Sequence, residues 1–134
     1  MPAKRVLIVE DDPKIRMLLQ RALEAEYEVL ATDNGQEAVR LAKEHRPGLV
    51  LLDIGLPNLD GMNALRLLKM SAQTADIPVV IQSAHGESGS LLDAQMLGAV
   101  DFLIKPYTLE DVHDMVRRYL VMWKDATEDP RGST

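Results

Sequence analysis

A single open, parallel β-sheet with helices on both faces is the fold this chain predicts, on three observations. Short apolar runs alternate with amphipathic stretches five times, at intervals of roughly 25 residues, the pattern of a doubly wound α/β domain. The central run, Leu49-Val50-Leu51-Leu52, is apolar at every position, which suits a strand buried on both faces. Turn residues or charged groups close each run. The 134 residues suffice for one domain with a real core. A hydrophobic content of 46% and a charged content of 27% fit a soluble globular protein.

Taken in order, residues 6–9 (Val-Leu-Ile-Val) form the first strand, which ends in Glu10-Asp11-Asp12. Asp12 is placed to cap a helix whose first residue is Pro13. Ile15, Leu18, Leu19, Ala22 and Leu23 follow at helical spacing and predict its buried stripe. Residues 27–31 read as a weaker strand, closed by Asp33-Asn34-Gly35. A second helix over 36–44 buries Ala38, Leu41 and Ala42 and is stopped by Pro47. The central strand reaches Asp53, after which Gly55, Pro57, Asp60 and Gly61 break the backbone pattern. Asp60 can cap a third helix over 61–72, with Leu65 and Leu68 inward. Residues 77–81 make the fourth strand, where Pro78 is tolerable only near the start. It runs into Gln82-Ser83-Ala84-His85-Gly86. The fourth helix, 88–97, has Gly86 and Gly89 near its start and should be the least stable, and Gly98 ends it. A fifth strand over 100–104 leads to Lys105-Pro106, and a last helix covers 109–123. Residues 1–124 are expected to form the domain, with 125–134 a disordered tail or the start of a linker.

The totals exclude several classes. A net charge of −6 argues against direct nucleic-acid binding, which calls for a basic surface. With no Cys there is no disulfide, zinc-thiolate site or thiol nucleophile. The opening Met1-Pro2-Ala3-Lys4-Arg5 leads into only four apolar residues, unlike a secretory signal, and no run approaches membrane-spanning length. A cytoplasmic location is expected.

Four of the five strands deliver polar groups at their carboxyl ends: Glu10 and Asp11, Asp53, Ser83 and Lys105. In open parallel sheets these ends lie along one edge, where ligands bind. Carboxylates gathered there repel by roughly 4 kcal/mol per pair at about 4 Å and an effective dielectric near 20. A divalent cation among them relieves that, and oxygen ligands without a nearby His favour Mg²⁺ over zinc. A hydroxyl and a lysine opposite the metal complete a clamp for a phosphoryl group. Asp53 is then the candidate nucleophile, forming an acyl phosphate.

These residues resemble the receiver domains of bacterial two-component response regulators, from residue 4 to about 122. The marks are Val-Leu-Ile-Val before Glu10-Asp11, Asp53 followed by Leu56-Pro57 and Asp60-Gly61, Ser83-Ala84, and Gly98-Ala99 through Phe102 to Lys105-Pro106. The resemblance implies a flavodoxin-like strand order 2-1-3-4-5, a Mg²⁺ cofactor and a phosphohistidine donor such as a sensor histidine kinase or phosphotransfer protein. It also implies that Asp53 accepts the phosphoryl group and Asp11 binds Mg²⁺ directly. Glu10 would act on the metal mainly through water, and the backbone carbonyl of Gly55 would add a ligand. Ser83 and Lys105 would hold phosphoryl oxygens, Phe102 would be the switch aromatic, and Lys105-Pro106 would be cis. The sequence departs from the family in Gly55, smaller than usual, and His85, an uncommon choice. In the family these two positions tune phosphoryl lifetime. The domain would assist its own phosphorylation and dephosphorylation without being an enzyme.

Three rivals fit less well. A Mg²⁺-dependent aspartyl-phosphate phosphatase would carry a second Asp where Gly55 stands, and a flavodoxin would carry a Ser/Thr/Gly-rich loop after the first strand. A pseudo-receiver binding module would not need the full set of acids, Ser83 and Lys105. In the last helix Leu109, Val112, Val116, Tyr119 and Trp123 form a core-facing seam, yet residues 119–123 are apolar all round. Val121 and Met122 therefore predict that this end meets a twin subunit, an effector domain or a continuing helix, with a homodimer expected to use the surface of the fourth helix, fifth strand and fifth helix.

Overall fold

The computed structural model describes residues 4–55, 61–84 and 88–128, and the side chains of all these except 88–90 and 121–128. Five strands and five helices alternate: β1 (Arg5–Val9), α1 (Pro13–Leu23), β2 (Glu28–Thr32), α2 (Gly35–His45), β3 (Leu49–Asp53), α3 (Gly61–Met70), β4 (Val79–Ala84), α4 (Ser88–Leu97), β5 (Asp101–Lys105) and α5 (Leu109–Glu128). All strand pairs are parallel, in the order β2-β1-β3-β4-β5. Every residue of β3 is buried, because helices cover both sides of the sheet. Leu7, Val9, Val50, Leu52, Val79 and Ile81 pack on one face, against Ala38, Ala42, Ala64, Leu65, Leu68 and Ala94 of α2, α3 and α4. Val6, Ile8, Leu49, Leu51, Val80 and Leu103 pack on the other, against Leu19 and Leu23 of α1 and Val112, Val116 and Leu120 of α5.

Local chemistry sets the element ends. Asp12 caps α1, its carboxylate accepting the N–H groups of Lys14 at 2.8 Å and Ile15 at 3.4 Å. Arg46 ends α2 in the left-handed region (φ 46°), because Pro47 disfavours the helical conformation in the residue before it. Gly98 ends α4 at φ 114°, a conformation that suits glycine. The Lys105–Pro106 peptide is cis, as the resemblance implied.

Several expectations are corrected. Leu18 is 52% exposed rather than buried, since Leu19 and Leu23, four apart, already fill the stripe that meets the sheet. Leu109 is 37% exposed, and Leu120 rather than Leu109 extends the α5 seam into the core. Helix α3 stops at Met70, where the buried Thr74 hydroxyl donates to the Leu68 carbonyl at 2.6 Å and diverts the chain. Strand β4 starts after Pro78, which lacks an N–H, and runs on through Ser83 to Ala84. Helix α5 continues past the expected end at Trp123 to Glu128; no Gly or Pro intervenes before Pro130. Leu56, Pro57, Asp60 with its proposed cap, His85, Gly86 and 129–134 lie outside the described residues, as do the side chains of Val121, Met122 and Trp123.

Candidate phosphoryl site at the strand ends

Glu10 follows β1 directly, and Asp53 ends β3, the neighbouring strand. Both side chains are buried, whereas Asp11 is exposed. One carboxylate oxygen from each of the three lies within 4.8 Å of the other two. The start of α1 wraps around Glu10. Its Oε2 accepts the Asp12 N–H at 3.1 Å, and Arg16 donates to its carbonyl at 2.9 Å. Across the site Lys105 Nζ stands 2.9 Å from Asp53 Oδ2 and 3.4 Å from Glu10 Oε1. Asp53 Oδ1 accepts the Gly55 N–H at 2.8 Å.

One ammonium thus faces three carboxylates, and the protonation of Glu10 and of Lys105 responds to the site. Burial, chiefly, pushes the Glu10 carboxyl up to about 7, with the charge of Asp53 adding and the Asp12 N–H opposing. Burial pulls the Lys105 ammonium down, but the hydrogen bond and charge of Asp53, with Glu10 behind it, outweigh burial and raise it. Glu10 Oε1 is buried and, beyond its 3.4 Å ion pair with Lys105, has no hydrogen-bond partner among the described residues. A buried carboxylate oxygen left over in a cluster of three acids fits a hard divalent cation with oxygen ligands.

The other expected residues lie near this edge on different terms. Ser83 is buried in β4, its hydroxyl donating to the Ala84 carbonyl at 3.2 Å. Strand alternation places Ser83 with Ile81, on the face toward α3 and α4. Phe102 pairs in register with Ile81 and packs, half-buried, on that same face. Gly55 is exposed at the mouth of the site.

Sequence reasoning missed Arg16, Gln82 and Tyr107. Gln82 is fully buried, and the Tyr107 hydroxyl donates to its Oε1. Burial first, then the charge of Glu10, pushes the Tyr107 phenol up to about 12. The available signals were a glutamine closing the apolar run Val79-Val80-Ile81 and a tyrosine two residues past Lys105.

Residues 6–117 match the family described as the response regulator receiver domain. Sporulation initiation phosphotransferase F of Bacillus subtilis (strain 168) is 34% identical over 121 residues, covering 90% of this chain and 96% of that protein. Chemotaxis protein CheY of the same organism is 37% identical over 120 residues, covering 88% and 98%. Among solved structures, the receiver domain of a sensor histidine kinase from Pseudomonas aeruginosa PAO1 superposes with a TM-score of 0.81 at 26% identity, over 90% of this chain and 99% of that one. That structure holds a magnesium ion coordinated in its active-site cleft. With the family match running from the first strand into the last helix, the chain belongs to the response regulator receiver domains, the phosphorylation-operated switches of two-component signalling.

Proposed function

We propose that Asp53 is the phosphoacceptor and that Glu10, Asp11, Asp53 and the Gly55 carbonyl hold a Mg²⁺ ion beside it. The observation that carries this is the convergence of three carboxylates and Lys105 at the end of the fully buried β3. A carboxylate oxygen of Asp53 attacks the phosphorus of a phosphohistidine donor, supplied by a sensor kinase or phosphotransfer protein. The P–N bond breaks and its electron pair stays on the donor imidazole. Mg²⁺ held by Glu10, Asp11, Asp53 and the Gly55 carbonyl would supply charge neutralisation on the transferring group. Lys105 pairs with a phosphoryl oxygen and Ser83 hydrogen-bonds another, so the chain assists its own phosphorylation and hydrolysis. Incubation with acetyl phosphate and Mg²⁺ tests the reading: one hydroxylamine-labile phosphoryl group per chain is expected, and none without Mg²⁺.

Phosphorylation adds about −1.5 to −2 charges. Ser83 is drawn toward them, and Phe102 turns inward on the face it shares with Ser83, altering the surface of α4, β5 and α5. Leu92, Met96, Val100 and Ile104 are exposed there. This is the surface proposed to meet a downstream effector or a twin subunit, in the cytoplasm; among the described residues no helix is long and apolar enough to cross a membrane. Light scattering with and without beryllofluoride and Mg²⁺ reads self-association, and a monomer in both conditions leaves the effector as the partner.

Gly55 and His85 are proposed to set phosphoryl lifetime. A Cβ on Gly55 would meet Asp53 Oδ1 at 3.4 Å, so a side chain there stands over the acceptor and hinders water. Gly55→Asn is expected to slow hydrolysis, and His85→Ala to change it. Decay rates within twofold of the parent for both would end that assignment.

The protonation of Glu10 gives the metal a pH dependence. A carboxyl raised in the fold contributes stability below its unfolded pKa, and that contribution is lost as pH rises through about 7. The metal-free protein therefore loses this contribution as pH rises from the ordinary carboxylate range through about 7, while the gain in Tm from Mg²⁺ grows. Below about pH 7 one proton competes with the metal, so Mg²⁺ affinity should fall by up to roughly tenfold per pH unit. Titrations at pH 6, 7 and 8 check this, and an affinity that does not move excludes Glu10 from the site.

A further inference from the structure

Gln82 is an unexpected residue at its position. It follows three apolar residues in β4, and its side chain is fully buried. It is also the residue paired in register with Asp53, and its carbonyl accepts the Ile54 N–H at 3.2 Å. Laterally paired residues of a sheet place their side chains on the same face. The Gln82 carboxamide therefore stands beside Asp53. The Tyr107 hydroxyl fixes one end of it, at Oε1, while Nε2 is buried without a partner among the described residues. An unpaired buried donor is costly. A methionine or leucine would fill the same space without that cost, so packing alone does not explain the choice.

Lys105 gives the pair its place in the site. Strand β4 lies between β5 and β3, yet Lys105 of β5 reaches Asp53 and Glu10 with its ammonium. Its stem must cross β4. It starts from the same face as Leu103, which pairs in register with Gln82. Lys105 itself pairs in register with Ala84, two residues past Gln82 on the same face, so its stem runs across that face toward Asp53, the register partner of Gln82. Tyr107 follows Lys105 by two residues, so the clamp is tethered to the end of the lysine's own strand.

We propose that Gln82, held by Tyr107, is a positioning residue of the phosphoryl site, fixing the Lys105 ammonium against the Asp53 carboxylate in the geometry that transfer needs. The proposal rests on Asp53 being the acceptor. The test compares the parent with Tyr107→Phe, Gln82→Met and the double variant, measuring Tm and the rate of acyl-phosphate formation at saturating acetyl phosphate and Mg²⁺. Tyr107→Phe should lower Tm by leaving Gln82 Oε1 unpaired beside the unpaired Nε2. Gln82→Met should move it less, because it exchanges the unpaired Nε2 for an unpaired phenol. The double change removes all of these groups and should be at least as stable as the parent. The saturating rate should fall on the order of tenfold in all three, because small misplacements of reacting groups are expensive.

A double variant as stable as the parent yet still slow establishes positioning. One as stable as the parent and within twofold of its rate overturns the proposal and leaves a packing role. If the double variant does not fold, Tyr107→Phe decides by the same twofold criterion, since it removes a single oxygen. Asp53→Asn is run alongside. Labelling that survives it, or a parent that takes no label, defeats the acceptor assignment and this inference together. Labelling that depends on Asp53 but ignores Gln82 and Tyr107 defeats this inference alone.

Discussion

Asp53→Asn is expected to abolish acyl-phosphate formation while leaving the fold intact. The substitution is nearly isosteric, and it removes both the nucleophilic charge and one of three carboxylates clustered within 4.8 Å. Two effects of opposite sign act on stability. The ion pair with Lys105 at 2.9 Å is lost, which destabilises. Repulsion between Asp53 and Glu10 is relieved, which stabilises. With about 4 kcal/mol per full charge pair at an effective dielectric near 20, the two nearly cancel where Glu10 is ionised, above about pH 7, so the metal-free Tm should move little there. Stabilisation by Mg²⁺ should be largely lost, because one charged ligand is gone. Phosphate labelling, confirmed by mass, and melting curves with and without Mg²⁺ check both parts. Labelling of the Asp53→Asn variant at the parent's rate would place the acceptor elsewhere.

Gly61→Ala should be among the most damaging single substitutions outside the two hydrophobic cores. A Cβ on Gly61 would stand 2.2 Å from Ile54 Cα and 2.4 Å from the Asp53 carbonyl oxygen. Both neighbours are backbone, so no side chain can swing aside. Helix α3 would have to shift away from the end of β3, or Asp53 and Ile54 would have to move. Overpacking of this kind typically costs about 1–3 kcal/mol, and contact with rigid backbone belongs at the upper end. Because the displaced backbone carries Asp53, Mg²⁺ affinity should fall together with Tm. Chemical denaturation and Mg²⁺ titration of Gly61→Ala measure the two. A variant as stable as the parent would mean that the start of α3 yields more readily than its contacts imply. Gly55→Ala is the contrast: its Cβ would meet only the Asp53 side chain at 3.4 Å, and its stability should be close to the parent's.

Element type and order were legible in the sequence because burial on two faces writes uninterrupted apolar runs, and burial on one face writes a helical stripe. The runs ending at Val9 and Asp53 became β1 and β3, and the α4 boundaries expected from Gly98 are those observed. Errors fell where neighbours rather than local pattern decide. Leu18 and Leu19 are chemically alike, but only the latter faces the sheet once α1 has docked. Helix α5 runs on past Trp123 because no Gly or Pro stands there to stop it.

The acids, Ser83 and Lys105 could be named from sequence because each sits at the end of an apolar run, and a parallel sheet brings such ends to one edge. How those groups meet was decided by tertiary structure. Strand order puts β4 between Lys105 and the carboxylate it reaches. Register sets Gln82 beside Asp53 and Ser83 with Phe102 on the opposite face. The burial that raises Glu10 arises only when β1 lies inside the sheet with α1 folded over its end. Residue identity fixes which groups arrive at an edge. Distances, faces and dielectric surroundings come from chain segments far apart in sequence, and no local pattern encodes them.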